Sequence, residues 1–176
     1  MPASSRWTLI VLAVALGAAL SRSANAQTAA GNMFAGAGTF KCCQGKTSAW
    51  QVGGSAEVPV TSGISLGGEL GLVGPMGDGK VFEPSGYVMF GHTLLLSVNG
   101  WYHVNLLDAQ RLRPFLTGGI GQTLGHGDSV GGPNFGGGID WWLRKRRGVR
   151  VEVRDQLLGE FGTTHLVTVR VGLILR

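Results

Sequence analysis

Residues 148–156 read GVRVEVRDQ, in which aliphatic and ionic side chains alternate from position 149 to position 154. Three valines, at 149, 151 and 153, alternate with Arg150, Glu152 and Arg154. Because successive side chains of a β-strand point to opposite faces, this segment has one aliphatic face and one ionic face. Three settings accept such a strand: a core with solvent outside, a ligand cavity with solvent outside, or lipid outside a polar lumen.

The same period of two recurs along most of the chain, as in residues 50–60 (WQVGGSAEVPV) and 165–176 (HLVTVRVGLILR), and predicts an all-β fold. We predict eight strands, near residues 32–41, 48–60, 62–73, 91–104, 111–124, 133–143, 147–157 and 165–176. Several strands reach about 11 residues or more, the length with which a tilted strand crosses a bilayer. The stretch 81–91 is left open, either as a separate short strand or as part of the fourth.

The first 26 residues have the features of a cleaved secretory signal peptide. Arg6 precedes an almost uncharged apolar run at 7–20, and residues 24–26 (ANA) form an A-x-A cleavage site. The run is shorter than the roughly 20 residues that a membrane-spanning helix needs. We therefore expect residues 27–176 to form one exported domain.

Charge and composition argue against nucleic acid as a partner. The formal net charge is +5, and the loss of Arg6 and Arg22 with the signal peptide would lower it to +3, thirteen basic against ten acidic residues. Charged residues make up 14% of the chain, below the roughly 25% of soluble domains. The 31 glycines are too many for a helical protein, and several share the face of the arginines, where they leave room for long side chains. A charge-poor exported chain of strands is a candidate membrane barrel.

The connections between the predicted strands alternate in length. Loops are predicted at 42–47, 74–90, 125–132 and 158–164, and shorter turns near 61, at 105–110 and at 144–147 (RKRR). Bacterial outer-membrane barrels have short periplasmic turns and longer extracellular loops. Both termini would then lie in the periplasm, with the RKRR turn against anionic headgroups.

Aromatic residues lie near the predicted strand ends. At the predicted periplasmic rim they are Trp101, Tyr102, Trp141 and Trp142, and at the outer rim they are Phe40 and Trp50. Rings at headgroup depth are typical of aromatic girdles. The alternative is that these are ordinary core aromatics, because Trp101 and Trp142 have the parity of inward-facing residues.

With the aliphatic faces outward, eight charged side chains share the inside of the barrel. They are the acids Glu57, Glu69, Asp140 and Glu152 and the bases Arg113, Arg150, Arg154 and Arg170. Buried charges need partners, and an eight-stranded barrel is only wide enough for side chains to fill it. We predict structural ion pairs, Glu152 with Arg170 and Asp140 with Arg150, in preference to a proton relay, a catalytic site or a pore.

No other motif predicts chemistry. The histidines lack ligand spacing, so we expect no metal site, and no motif joins serine, histidine and acid into a triad. We expect no cofactor. Cys42 and Cys43 are adjacent and cannot join distant parts of the fold. A vicinal disulfide, an intermolecular bridge and two free thiols stay open.

The segments RPFLTGGIG (113–121), NFGGGIDWWL (134–143), GVRVEVRD (148–155) and the final VTVRVGLILR resemble the second half of small bacterial outer-membrane β-barrel proteins of the OmpA/OmpX-like kind. The resemblance covers residues 31–176 and is strongest from 111 onward. It implies insertion by the outer-membrane assembly machinery and no shared catalytic residues. Last strands of that family usually end in an aromatic residue, whereas this one ends in Leu175-Arg176.

We therefore expect a single eight-stranded antiparallel up-and-down transmembrane β-barrel, monomeric, in the bacterial outer membrane, with a structural or surface-interaction role and no enzymatic activity. Its expected partners are outer-membrane lipids and lipopolysaccharide, the assembly machinery during insertion, and a surface ligand met through the loops. Two alternatives stay open. One is a soluble secreted or periplasmic barrel that binds a small apolar ligand, and the other is an outer-membrane enzyme that modifies lipid acyl chains.

Overall fold

The computed structural model describes residues 29–42, 45–77, 80–83, 86–89, 92–104, 111–124, 130–158 and 164–176. Their ten strands are β1 (Ala30–Cys42), β2 (Gly45–Thr61), β3 (Ile64–Pro75), β4 (Lys80–Glu83), β5 (Gly86–Met89), β6 (Thr93–His103), β7 (Leu112–Leu124), β8 (Gly131–Arg144), β9 (Arg147–Leu158) and β10 (Thr164–Leu175). Eight of them close into an antiparallel barrel in the order β1-β10-β9-β8-β7-β6-β3-β2. The predicted eight-stranded barrel is confirmed. No helix among the described residues is long and apolar enough to span a membrane.

The stretch that the sequence left open forms a separate small hairpin. β4 pairs with β5 from Lys80↔Met89 to Glu83↔Gly86, as a two-stranded sheet outside the barrel. The fourth barrel strand, β6, begins only at Thr93. The barrel therefore keeps its even number of strands, and the hairpin belongs to the connection between β3 and β6.

The loop predicted at 42–47 is wrong. β1 and β2 stay paired as far as Cys42↔Gly45, so only residues 43–44 join them. The polar, glycine-containing sequence indicates a loop, but backbone hydrogen bonds continue a hairpin whatever its side chains are. The connections at 105–110, 125–129 and 159–163 lie outside the described residues, as do the proposed signal peptide and Cys43.

The two ends of the barrel differ in what they carry. One end, here called the terminal end, holds the start of β1, the end of β10 and the tight turns at 62–63 and 145–146. The opposite end, here called the loop end, carries the β4–β5 hairpin and the connections at 125–129 and 159–163.

The strand quoted first divides as its alternation predicts. Val151 and Val153 on the outer face are 46% and 50% exposed, whereas Arg150, Glu152 and Arg154 on the inner face are 2% exposed or less. β10 continues both faces, because Val153 pairs with Val169 and Glu152 pairs with Arg170. The outer wall is therefore aliphatic and the lumen ionic.

Inward glycines make that lumen possible. A Cβ added to Gly36 would lie 2.6 Å from the Val169 carbonyl oxygen and 2.9 Å from Arg170 Cγ. At Gly136 it would overlap the Val153 carbonyl oxygen. Because the closest atoms belong to the backbone of the neighbouring strand, these positions have no room for a side chain.

Buried apolar side chains form a cluster near each end of the lumen. At the loop end they are Ala49, Val73, Leu95, Leu158 and Leu166, here called the apolar cap. At the terminal end they are Ala30, Trp142 and Ile174. Phe40 packs against the apolar cap, which corrects its prediction as a girdle residue, because its parity on β1 points it inward.

The aromatic residues at the terminal end divide between the two faces. Tyr102 and Trp141 are 54% and 52% exposed on the outer wall. Trp101 and Trp142 are 1% and 7% exposed inside the barrel. In each pair of adjacent aromatic residues, one ring therefore lies on the outer wall, as a girdle residue would, and the other lies in the core. Alternation along a strand requires this division.

Candidate functional site: the charged lumen

The middle of the lumen holds a group of two acids and two bases, here called the central cluster: Glu69, Glu152, Arg154 and Arg170. Arg170 donates from Nη2 to Glu69 at 3.1 Å and to Glu152 at 2.7 Å. Arg154 donates from Nε to Glu152 at 2.7 Å. Each member is at most 4% exposed. With two negative and two positive charges, the cluster is neutral and closed.

A second group lies nearer the terminal end, here called the terminal cluster: Glu57, His103, Asp140 and Arg150. Arg150 donates to both oxygens of Asp140, at 2.6 Å and 2.9 Å, and to Glu57 Oε1 at 2.9 Å. Nε2 of His103 lies 3.1 Å from the other Glu57 oxygen. Each oxygen of both carboxylates therefore has a hydrogen-bond partner, and the two predicted pairs, Asp140 with Arg150 and Glu152 with Arg170, are in direct contact.

Aromatic rings hold two of the arginines in place. The guanidinium carbon of Arg170 lies 4.2 Å from the centre of the Phe34 ring, and that of Arg150 lies 4.5 Å from the Phe115 ring. Phe34 and Phe115 are 6% and 2% exposed. Stacking of this kind suits the planar, weakly hydrated guanidinium group and leaves its N–H edges free for the carboxylates.

Arg113 does not take the place predicted for it among the paired lumen charges. It is half-buried, and among the described residues it forms neither an ion pair nor a hydrogen bond. In the β7–β8 register Arg113 lies directly opposite Asp140. Arg150 already occupies both oxygens of that carboxylate. The positive charge of Arg113 is therefore directed to the terminal mouth of the barrel.

His103 is the member of the terminal cluster that sequence reasoning missed. Its position in the alternation of β6 indicates an inward side chain, but the spacing of the histidines along the chain does not reveal which residues it meets in the fold. In the fold, ligand atoms of Glu57, His103 and Asp140 lie within 4.8 Å of one another. This spacing could suit a metal ion. However, Arg150 donates to both carboxylates, and a divalent cation would stand beside that guanidinium. We assign no metal there.

A cavity of about 280 Å³ opens beside the terminal cluster at the terminal end. Its floor includes Glu57 and His103, and its rim includes Arg113 and Arg176. The β2–β3 turn forms one wall, where Gly63 has a positive φ of 80°. The hydroxyl-bearing residues of the lining are Thr61, Ser62 and Ser65.

Chemically, the paired charges of the lumen are suited to holding the strands of the wall together. His103 hydrogen-bonds Glu57 and, among the described residues, no serine, threonine or cysteine. Every charged member of the central cluster is neutralised by a neighbour. The structure therefore joins seven of the eight predicted charges into two clusters and leaves Arg113 outside them.

Comparison with known proteins identifies the fold. No family model matches the chain, and no curated protein matches it in sequence. The crystal structure of Neisserial surface protein A matches over 84% of this chain and 96% of that chain, with a TM-score of 0.68 and 10% identity. A de novo designed transmembrane β-barrel matches over 83% and 93%, with a TM-score of 0.51 and 14% identity.

The N-terminal β-barrel domain of OprF from Pseudomonas aeruginosa covers 83% of this chain and 97% of its own, at 15% identity and a TM-score of 0.49. At such identities the first two likenesses show the architecture alone. The chain has the fold of the small outer-membrane β-barrels of the OmpA/OmpX-like kind.

Proposed function

We propose that this chain is an outer-membrane β-barrel with a structural or surface-interaction role, whose lumen is plugged by ion pairs and forms no pore. The observation that carries the proposal is the division of β9 and β10 into an exposed valine face and a buried arginine–glutamate face. Lipid stabilises the first face, and a closed polar lumen holds the second. The likeness to outer-membrane barrels supports the same location.

The filled lumen supports a plug and not a channel. The central cluster is almost fully buried, Phe34 packs against its Arg170, and Phe115 packs against Arg150 of the terminal cluster. On the loop-end side of the central cluster, the residues of the apolar cap are 7% exposed or less. Eight strands enclose an interior just wide enough for side chains, so we expect no ion conductance.

The ionic lumen also weighs against a soluble barrel that binds an apolar ligand. In such a protein the aliphatic face would line the cavity, whereas here the buried face carries Arg150, Arg154 and Arg170. The lipid-modifying enzyme finds no support either, since the described outer wall brings together no nucleophile, base and acid.

The partners that follow remain proposals. The apolar outer wall is suited to outer-membrane lipids and lipopolysaccharide, and insertion would use the assembly machinery after removal of residues 1–26. The terminal end would then face the periplasm and the loop end would face the outside, so any surface ligand would bind at the loop end. A closed lumen is compatible with a monomer.

Cell fractionation tests this proposal. The chain with its N-terminal segment would be expressed in a two-membrane bacterium, and the outer-membrane fraction run on gels with and without boiling. We expect an outer-membrane product whose mobility changes only on boiling, no conductance in planar bilayers, and unchanged lipid masses. A soluble periplasmic product would refute the membrane location, conductance would refute the plug, and altered lipid masses would favour the enzyme.

A further inference from the structure

The cavity at the terminal end is lined by two arginines, Arg113 and Arg176, that form no ion pair with any described residue. Arg113 contacts no carboxylate among the described residues. Arg176 stacks on Trp142, with its guanidinium carbon 4.1 Å from the ring centre. Both line the same cavity. Burial and the positive charge of Arg113 lower the pKa of Arg176, and the negative charges of Asp140 and Glu57 oppose this shift without cancelling it.

The acids of the terminal cluster offset part of the repulsion between the two guanidinium groups, because the charges of Asp140 and Glu57 favour the charged form of Arg176. Glu57 lies on the cavity floor, where one of its oxygens accepts a hydrogen bond from Arg150 and the other is hydrogen-bonded to His103. An anion that enters from the mouth would meet the two guanidinium groups at the rim before it reaches this hydrogen-bonded carboxylate.

The remaining lining supplies the donors that an oxyanion needs. Thr61 and Ser62 are exposed at the rim, and Ser65 is 6% exposed on the inner face of β3. Arginine binds phosphate and carboxylate groups through paired N–H donors, and hydroxyl groups donate to the oxygens that are left. Trp142 and the backbone bond from Arg176 N to the Arg146 carbonyl, 3.1 Å long, hold Arg176 in position.

We infer that this cavity, here called the mouth site, binds a small phosphate-type oxyanion between Arg113 and Arg176. The cavity is bounded by inner-face residues of β2, β3, β6 and β7, so a soluble molecule reaches it through the aqueous mouth, whereas lipid headgroups surround the outer wall. That the molecule comes from the periplasm rests on the proposed function. The binding itself does not.

Titration of the purified barrel in lipid-free detergent with inorganic phosphate, followed by calorimetry at constant ionic strength, tests the inference. We expect one saturable site. Arg113→Gln should weaken phosphate binding about tenfold or more, because a hydrogen bond to a charged group is lost. Arg111→Gln is the matched control: Arg111 is exposed at the same rim, does not line the cavity, and should leave the affinity unchanged.

Three results would overturn the mouth site. These are no saturable binding by the wild-type barrel, equal weakening by both variants, and saturation of the site by phosphatidylglycerol nanodiscs without added phosphate. The last would identify a lipid headgroup as the source of the anion. Gel mobility of unboiled samples establishes that each variant is a closed barrel. Failure of phosphate binding in a heat-shifting barrel therefore counts against the mouth site and leaves the proposed function untouched.

Discussion

The outer and inner faces of one wall are governed by different surroundings. Outside, Val151 needs only to be apolar, because lipid accepts any aliphatic shape. Inside, one residue further on, Glu152 needs two arginines at defined positions. The outer face is specified by a property and the inner face by particular partners. Substitutions on the two faces should therefore fail for different reasons and by different amounts.

The largest effect is expected where a partner of the central cluster is removed. Arg154→Met leaves Glu152 and Glu69 with only Arg170 as a positive partner, and breaking a buried ion pair costs about 3–5 kcal/mol. Urea unfolding in lipid–detergent micelles would measure the loss. Arg147→Met is the control, since Arg147 is exposed on the same strand and should change stability by about 0.5 kcal/mol or less. Equal losses would mean that the cluster contributes nothing specific.

On the outer face, a charge should matter according to its depth. Val151→Arg places a guanidinium near the middle of the apolar wall and should cost about 2–4 kcal/mol of folding free energy in bilayers. Val60→Arg places it near the terminal rim and should cost about 0–1 kcal/mol. Refolding titrations into lipid vesicles would compare them. A depth-independent cost would contradict lipid contact along this wall.

Two neighbouring glycines, one on each face of the wall, differ in how much room a side chain would have. A Cβ on inward Gly67 would meet the Ala56 carbonyl carbon at 2.8 Å and its oxygen closer still, whereas on outward Gly68 the nearest atom is 3.7 Å away. We expect Gly67→Ala to destabilise by about 1–3 kcal/mol through overpacking and Gly68→Ala to be nearly neutral, by the same urea assay. Similar values for both variants would remove the distinction.

The smallest effect is expected at the terminal cluster. His103→Leu removes one hydrogen bond to Glu57, worth about 1 kcal/mol, while Arg150 keeps the carboxylate paired. His165→Leu on the outer face is the comparison, because its bond to Asp155 is partly exposed and should contribute less. Thermal melts monitored by gel mobility would rank them. A loss as large as that of Arg154→Met would mean that the terminal cluster is as tightly coupled as the central one.

The alternation of apolar and polar residues within short segments predicts the barrel, because lipid on one face and the lumen on the other impose a period of two on every strand. The pairing of Glu152 with Arg170 follows from the connection between two neighbouring strands, which fixes register. Contacts between strands that are distant in the sequence cannot be predicted in this way. His103 reaches Glu57 across β6 and β2, and Arg113 loses Asp140 to Arg150, because only the closed barrel decides which of several arginines reaches a carboxylate first.

The extent of the hairpins was the other part that the sequence did not predict. The β1–β2 ladder continues to Cys42↔Gly45, and β4 pairs with β5 outside the barrel. Both lie at the loop end, where lipid no longer imposes alternation on the side chains. Backbone pairing there is determined by chain geometry, and composition carries little information about it.

The central claim is that valines face lipid and the arginine–glutamate rows face the lumen. Paramagnetic broadening of methyl resonances by a nitroxide on a lipid acyl chain, with the barrel in nanodiscs, tests it most directly. We predict strong broadening at Val151, Val153 and Val169 and none at the inward Leu95, Leu166 and Ile174. Broadening of the inward methyls with protected valines, or a protein that stays out of the nanodiscs, would contradict the account.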